Sequence, residues 1–259
     1  AGVMLRRAFG FGKTSEFDPF LLFDDFRGDQ PDDYRRGFPW HPHRGIETIT
    51  YLLAGEVEHR DSLGNQGVLK PGDLQWMTAG SGIIHQEMPN GDVQGRMHGF
   101  QLWANLPASH KMTKPRYQDI SSAQVPEIQE DDGTIIRILC GEFGGRTGPV
   151  EGLAVDPQYL DVSIPPGVTR RLPVETDRHA FAYVFDGSGR FLDASSPLGV
   201  MTEDLSLDRT WRERPVANRH LVRFDNGTEI VVKAGDTGIR FLLATGRPLG
   251  EPVAWHGPI

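Results

Sequence analysis

The chain has 259 residues, 38% of them apolar, enough for two domains of ordinary size or one large β-rich unit. Its 31 glycines and 19 prolines are spread along the whole length, which leaves little room for long helices and favours an all-β architecture of short strands and tight turns. A formal net charge of −8 argues against direct nucleic-acid binding, since phosphate-binding surfaces are basic.

A single cysteine, Cys140, excludes an internal disulfide and is expected to be a small buried residue. No apolar run approaches the roughly 20 residues that span a bilayer, and the first residues lack the apolar stretch of a secretory signal. A cytoplasmic protein with no membrane partner is expected.

In chain order, short β-branched or aromatic runs at 46–53, 57–60 and 67–69 alternate with turns at Ala54-Gly55, Leu63-Gly64-Asn65 and Pro71-Gly72-Asp73. Residues 109–133 are polar and read as a connector with surface loops. A similar order follows: a run at 159–164, the turn Pro165-Pro166-Gly167, a run at 180–185, the turn Asp186-Gly187, then 228–233, the turn Ala234-Gly235-Asp236 and 239–244. This is an internal repeat of antiparallel barrels or sandwiches, dividing the chain into domains 1–133 and 134–259. Aligning Gly55 with Gly187 and Lys70-Pro71-Gly72-Asp73 with Lys233-Ala234-Gly235-Asp236 gives landmark spacings of 17 and 48 residues. An insertion is therefore expected within 195–226, with an excursion loop over 195–218 and one short helix near 203–212.

The chemistry concentrates in the first half. His41-Pro42-His43 puts two imidazoles at i and i+2, on one face of an extended strand. After the tight turn Gly80-Ser81-Gly82, His85-Gln86-Glu87 repeats the spacing with a carboxylate as second partner. Two such pairs on neighbouring strands supply three nitrogens and one oxygen around a point. That donor set, without thiolate, suits iron, manganese, nickel, copper or zinc with open positions for substrate or dioxygen. Paired histidines also occur on solvated strands, and Glu47, four residues past His43, competes with Glu87 as the carboxylate. Spacing leaves both open. Trp40, Met77, Met97, Phe100 and Trp103 read as pocket lining or plain core, and His98 and Gln101 as residues within reach of the site. In the second half the turn alignment places Pro173, Glu175, Pro248 and Gly250 where the first has His41, His43, His85 and Glu87. That set cannot bind a metal in the same way, so one ion per chain is expected, with His179 and His220 as ordinary surface or hydrogen-bonded histidines.

The segments Asp18-Pro19-Phe20-Leu21-Leu22-Phe23-Asp24-Asp25-Phe26, His41-Pro42-His43-Arg44-Gly45-Ile46-Glu47-Thr48, Gly72-Asp73-Leu74-Gln75-Trp76-Met77-Thr78-Ala79-Gly80, Gly82-Ile83-Ile84-His85 and Glu87-Met88-Pro89 resemble the signature of the pirin family of the cupin superfamily. The resemblance implies two cupin-type β-barrels, jelly-roll relatives, of which only the first holds metal. It assigns the ligands to His41, His43, His85 and Glu87, deciding against Glu47, which becomes a supporting partner that orients an imidazole. The function it implies is that of a quercetin 2,3-dioxygenase-type oxidoreductase acting on a flavonol-like aromatic substrate. One divalent ion is implied, Fe(II) first, with Mn, Ni, Cu, Zn or Co as substitutes, and Glu87 acts as both ligand and general base. The alternative is a non-enzymatic, iron-dependent redox sensor or regulator that binds a protein partner. A third reading is a cupin in which the metal only stabilises the fold.

Overall fold

Alternation of inward and outward side chains, interrupted by turn residues, builds the first half of the chain. The computed structural model describes residues 2–10, 12–192, 197–199, 215–224 and 226–254. These form two units: Ala1–Ser15, Pro19–Gln124 and Leu249–Ile259 in one, Glu16–Asp18 and Val125–Pro248 in the other.

The first unit contains β1 (Leu5–Phe9), β2 (Phe20–Gly28), β3 (Phe38–His43), β4 (Ile46–Ala54), β5 (Glu56–Asp61), β6 (Gln66–Leu69), β7 (Leu74–Thr78), β8 (Ile83–Asn90), β9 (Met97–Asn105) and β10 (Arg116–Ile120). They make a six-stranded sheet in the order β1-β2-β9-β4-β7-β10 and a four-stranded sheet in the order β3-β8-β5-β6. The two sheets face each other, as the Thr50 to Glu87 hydrogen bond and the His43 to Trp103 ring contact show. β5 and β8 have period-two burial, with Val57, His59 and Asp61 inward on one, and Ile83, His85, Glu87 and Pro89 inward on the other. One apolar cluster gathers around Leu22, Ile46, Met77, Ile83 and Trp103, another around Phe26, Leu52, Val57, Leu69 and Met97. Buried polar residues, among them Thr48, Thr50, His59, Gln75, His85, Glu87 and Gln101, add a polar component to the interior. Buried polar groups are the informative exception in a protein core.

The stretch read as a connector is more structured than expected. β10 lies within it and pairs with β7, putting Tyr117 opposite Met77 and Asp119 opposite Gln75. Its composition is polar because it is an edge strand of which only Ile120 is fully buried.

The second unit contains β11 (Glu127–Gln129), β12 (Ile135–Cys140), the two-residue pair β13 (Glu142–Phe143) and β14 (Arg146–Thr147), β15 (Gln158–Ile164), β16 (Thr169–Pro173), β17 (His179–Leu192), β18 (Pro197–Gly199), β19 (Val216–Ala217), β20 (His220–Arg223) and β21 (Glu229–Gly246). A nine-stranded sheet runs β11-β12-β15-β21-β17-β20-β18, with β16 also on β21 and β19 on β17. The turns expected at Asp186-Gly187 and Ala234-Gly235-Asp236 are bulges inside two long strands. Ala234 pairs with Gly189 and Ile239 with Gly187, so pairing resumes after each irregularity. Gly187, at φ 64, could not carry a side chain there, because a Cβ would meet the Gly238 carbonyl oxygen at 2.2 Å. Each long strand thus does the work of two in the first unit. β17 pairs early with β20 and late with β19, as β4 pairs with β7 and β5 with β6; β16 pairs with the start of β21 as β3 pairs with β8. The repeat is real, but 228–233 is the counterpart of β8, which the turn alignment missed. Most of the expected excursion loop and its helix near 203–212 lie outside the described residues.

Candidate metal centre

β3 and β8 are antiparallel neighbours, and His41 sits directly opposite His85. Period two brings His43 to the same face as His41. The ring centroids are 4.7 Å apart for His41 and His43, 4.4 Å for His41 and His85, and 5.0 Å for His43 and His85. One donor nitrogen from each ring lies within 4.8 Å of the other two, the one such group among the described residues. His43 and His85 are buried and His41 is half-buried, so His41 is the most accessible of the three. The Gly45 amide donates to the Gly80 carbonyl at 2.8 Å, tying the corner after β3 to the turn before β8. Gly45 holds φ at 69° and ends β3, so the following strand belongs to the other sheet.

That break explains the fate of Glu47, whose placement beside His43 assumed one continuous strand. Glu47 is fully buried on the face of β4 opposite to Thr48 and Thr50, where it accepts a 2.7 Å hydrogen bond from Thr78 Oγ1. Burial pushes its pKa up, opposed by the Thr78 bond. It orients no imidazole.

The triad fits a cation. The His41 Nδ1 lies 2.8 Å from the Pro39 carbonyl, which can only accept, so Nδ1 carries the proton and Nε2 offers its lone pair. Neither ring nitrogen of His43 or His85 has a hydrogen-bond partner. Such buried orphans cost about 1–3 kcal/mol each unless something satisfies them. Burial first, then the neighbouring His85 and His41, lowers the His43 pKa to about 2. Burial likewise lowers His85 to about 4, against the pull of Glu87. Both rings are therefore neutral at physiological pH, the form that binds metal.

Glu87 lies two residues past His85 on the same inward face and is buried, but it is not in the tight group of the three histidines. Its carboxylate accepts from Gln101 Nε2 at 3.2 and 3.3 Å and from Thr50 Oγ1 at 3.3 Å. The Trp103 indole N–H, a donor only, bonds Gln101 Oε1 at 3.0 Å and thereby fixes the amide with its NH2 toward Glu87. The Trp103 ring also packs edge-on against His43 with centroids 4.9 Å apart.

Of the other residues singled out, Gln101 reaches the site, whereas His98 lies 3.5 Å from Asp25 on the far side of β9. Met77 and Met97 are core, and Trp40 is exposed. Cys140 is buried, its thiol directed at the Pro157 carbonyl. His59, opposite Glu87 on β5, escaped the sequence reading, although Glu56-Val57-Glu58-His59-Arg60-Asp61 alternates and so declares His59 and Asp61 inward.

In the second unit the strand correspondence puts Leu172, Val174, Ile230 and Val232 at the positions of His41, His43, His85 and Glu87. Leu172 faces Ile230 across β16 and β21, and Phe191 faces Val232 across β17 and β21. All of these belong to or pack against one apolar core. They replace the Pro173, Glu175, Pro248 and Gly250 of the turn alignment, and the unit's interior offers aliphatic carbon where the first offers nitrogen.

A two-sheet β-fold with a histidine triad between its sheets, repeated in a second unit without the triad, defines a cupin-type protein with one candidate metal centre. Family profiles narrow this further: pirin matches residues 2–104 and the pirin C-terminal cupin domain matches residues 159–259. The chain belongs to the pirin family. A pirin-like protein of Caulobacter vibrioides is 44% identical over 263 residues, covering 100% of this chain and 86% of the relative. The crystal structure of quercetin 2,3-dioxygenase from Acinetobacter baumannii superposes with a TM-score of 0.84 at 28% identity, covering 99% of this chain and 85% of that one. The bacterial pirin YhhW from Escherichia coli, solved in complex with nickel(II), shares the fold at a TM-score of 0.67 and 21% identity, covering 94% and 91%.

Proposed function

We propose that the chain is an oxidoreductase of the quercetin 2,3-dioxygenase type, using Fe(II) held by His41, His43, His85 and Glu87. The observation that carries this is the triad itself: three convergent imidazoles, two of them buried with no partner on either nitrogen, beside a buried carboxylate. The likeness to the Acinetobacter dioxygenase supplies the substrate class, a flavonol.

The bound ion supplies Lewis-acid polarisation of a substrate hydroxyl and one-electron chemistry toward dioxygen. The rest falls to the chain. Glu87 accepts the proton of the flavonol hydroxyl, a base role for which its inward position beside the triad suits it. Gln101 and Thr50 hold the carboxylate in place through their donated hydrogen bonds, and Trp103 sets the direction of Gln101. Trp103, packed against His43, puts apolar surface beside the reacting groups and limits water there.

The test is oxygen uptake with quercetin after anaerobic loading with iron. Uptake in proportion to bound iron is expected. No uptake from protein carrying one iron per chain would sink the dioxygenase reading and leave the redox-responsive regulator.

A further inference from the structure

The triad accounts for the orphaned nitrogens of His43 and His85, but not for those of His59. His59 is only 2% exposed, and neither of its ring nitrogens has a hydrogen-bond partner. It stands outside the metal group, directly across from Glu87 on the adjacent strand, so its side chain shares the inward face with Glu87. The Tyr117 ring stacks on it, centroids 5.3 Å apart at 27°, and the Tyr117 hydroxyl faces Asp61 without a well-formed hydrogen bond to it. Asp61, the other inward polar residue of β5, is taken up by the amides of Leu63 and Asn65 and by the Asn65 side chain.

Two features fix how the imidazole is presented. Asp119 Oδ2 lies 3.6 Å from His59 Nε2, and Asp119 is itself held by Gln75 Nε2 at 2.9 Å. A carboxylate only accepts, so the Nε2 proton faces Asp119 and Nδ1 keeps a lone pair. Opposite His59 on β6 stands Gly67, where a Cβ would come within 2.4 Å of Nε2. Glycine there keeps room for the ring that any other residue would fill.

The geometry points to His59 and Tyr117 as a hydroxyl-recognition site inside the first unit, binding a second hydroxyl of an aromatic substrate whose first oxygen is held at the metal centre. The site pairs an acceptor, His59 Nδ1, with a hydroxyl that can both donate and accept, a combination suited to a phenolic group. This rests on the flavonol reading and sharpens it: the preferred substrate is polyhydroxylated, with a hydroxyl remote from the one that meets the metal.

The experiment is calorimetric titration of the zinc-loaded chain, redox-inert, with quercetin and with 3-hydroxyflavone, which lacks the additional ring hydroxyls. Wild type should bind quercetin roughly tenfold more tightly, about the worth of one good hydrogen bond. Tyr117→Phe removes one oxygen and keeps the stack, and His59→Leu removes both nitrogens. Each should weaken quercetin binding about tenfold and leave 3-hydroxyflavone binding and zinc content unchanged. Wild-type quercetin affinity in Tyr117→Phe, equal losses for the two flavonols, or no quercetin binding by wild type would each overturn the proposal. Hydroxyl discrimination without oxygen uptake by the iron form would uphold the site and remove the dioxygenase reading; uptake that survives both substitutions with an unchanged KM would do the reverse.

Discussion

His85 is the pivot of the triad, fully buried and facing His41 across the strand pair. Replacing it with Ala should lower metal content more than about tenfold with the far-ultraviolet spectrum unchanged, since it removes the innermost of the four proposed donors and leaves a gap in the tight group of three imidazoles. Retention of a full ion would disprove the assignment. Glu87→Gln keeps the volume but turns an NH2 against the donors from Gln101 and Thr50, a mismatch of about 1–3 kcal/mol. Turnover should disappear while some metal stays on the histidines; wild-type turnover would remove Glu87 from both its roles. On the far side of β9, Asp25 offers a pH prediction. Burial alone would raise its pKa, but His98 and Arg27 outweigh that and hold it at about 2, below the ordinary aspartate value of 3.8. The folded value is depressed, so the stabilisation is complete above the unfolded value and is lost as pH falls from about 4 to 2. It amounts to about 2 kcal/mol. Unfolding measured across that range should show the loss in wild type and a flatter profile in Asp25→Asn.

At the scale of elements, the site depends on one corner and one turn being locked together by the Gly45 to Gly80 hydrogen bond. Gly80 sits at φ 50°, and a Cβ would meet the Thr113 carbonyl oxygen at 2.1 Å. Gly80→Ala should therefore destabilise the fold by roughly 2 kcal/mol and weaken metal binding, because the turn sets the register of β8. A variant with unchanged melting and metal affinity would count against this. The same corner shows what could be read in advance. The i, i+2 pairs at His41 and His43, and at His85 and Glu87, are local patterns, and period two sufficed to orient them. Glu47 misled because a single glycine between strands moved it to another sheet. β10 hid because it is an edge strand with one fully buried residue, so that hydropathy gave no contrast. The long strands β17 and β21 were cut short because a glycine inside a bulge and a glycine in a turn look alike until the pairing is known.

For the molecule as a whole, the two units bury opposite kinds of interior. The first places unpartnered nitrogen and carboxylate between its sheets, and the second fills the matching positions with Leu172, Val174, Ile230 and Val232. Removing the metal should therefore affect them unequally. At a metal concentration about 100 times the dissociation constant, binding contributes about 2.7 kcal/mol to the unit that holds the ion. Hydrogen exchange with and without chelator should show β3 and β8 losing protection while β16 and β21 keep theirs. Equal loss in both units would contradict a single centre.

Trp103 gives the centre an optical voice. Its indole touches His43 on one side and, through Gln101, is wired to Glu87 on the other. An event at the ion, whether loading, a change of oxidation state or the arrival of substrate, alters the field around a chromophore the chain already contains. The part of the emission lost in Trp103→Phe, out of the chain's five tryptophans, should therefore follow occupancy, readable without any label in a stopped-flow cell.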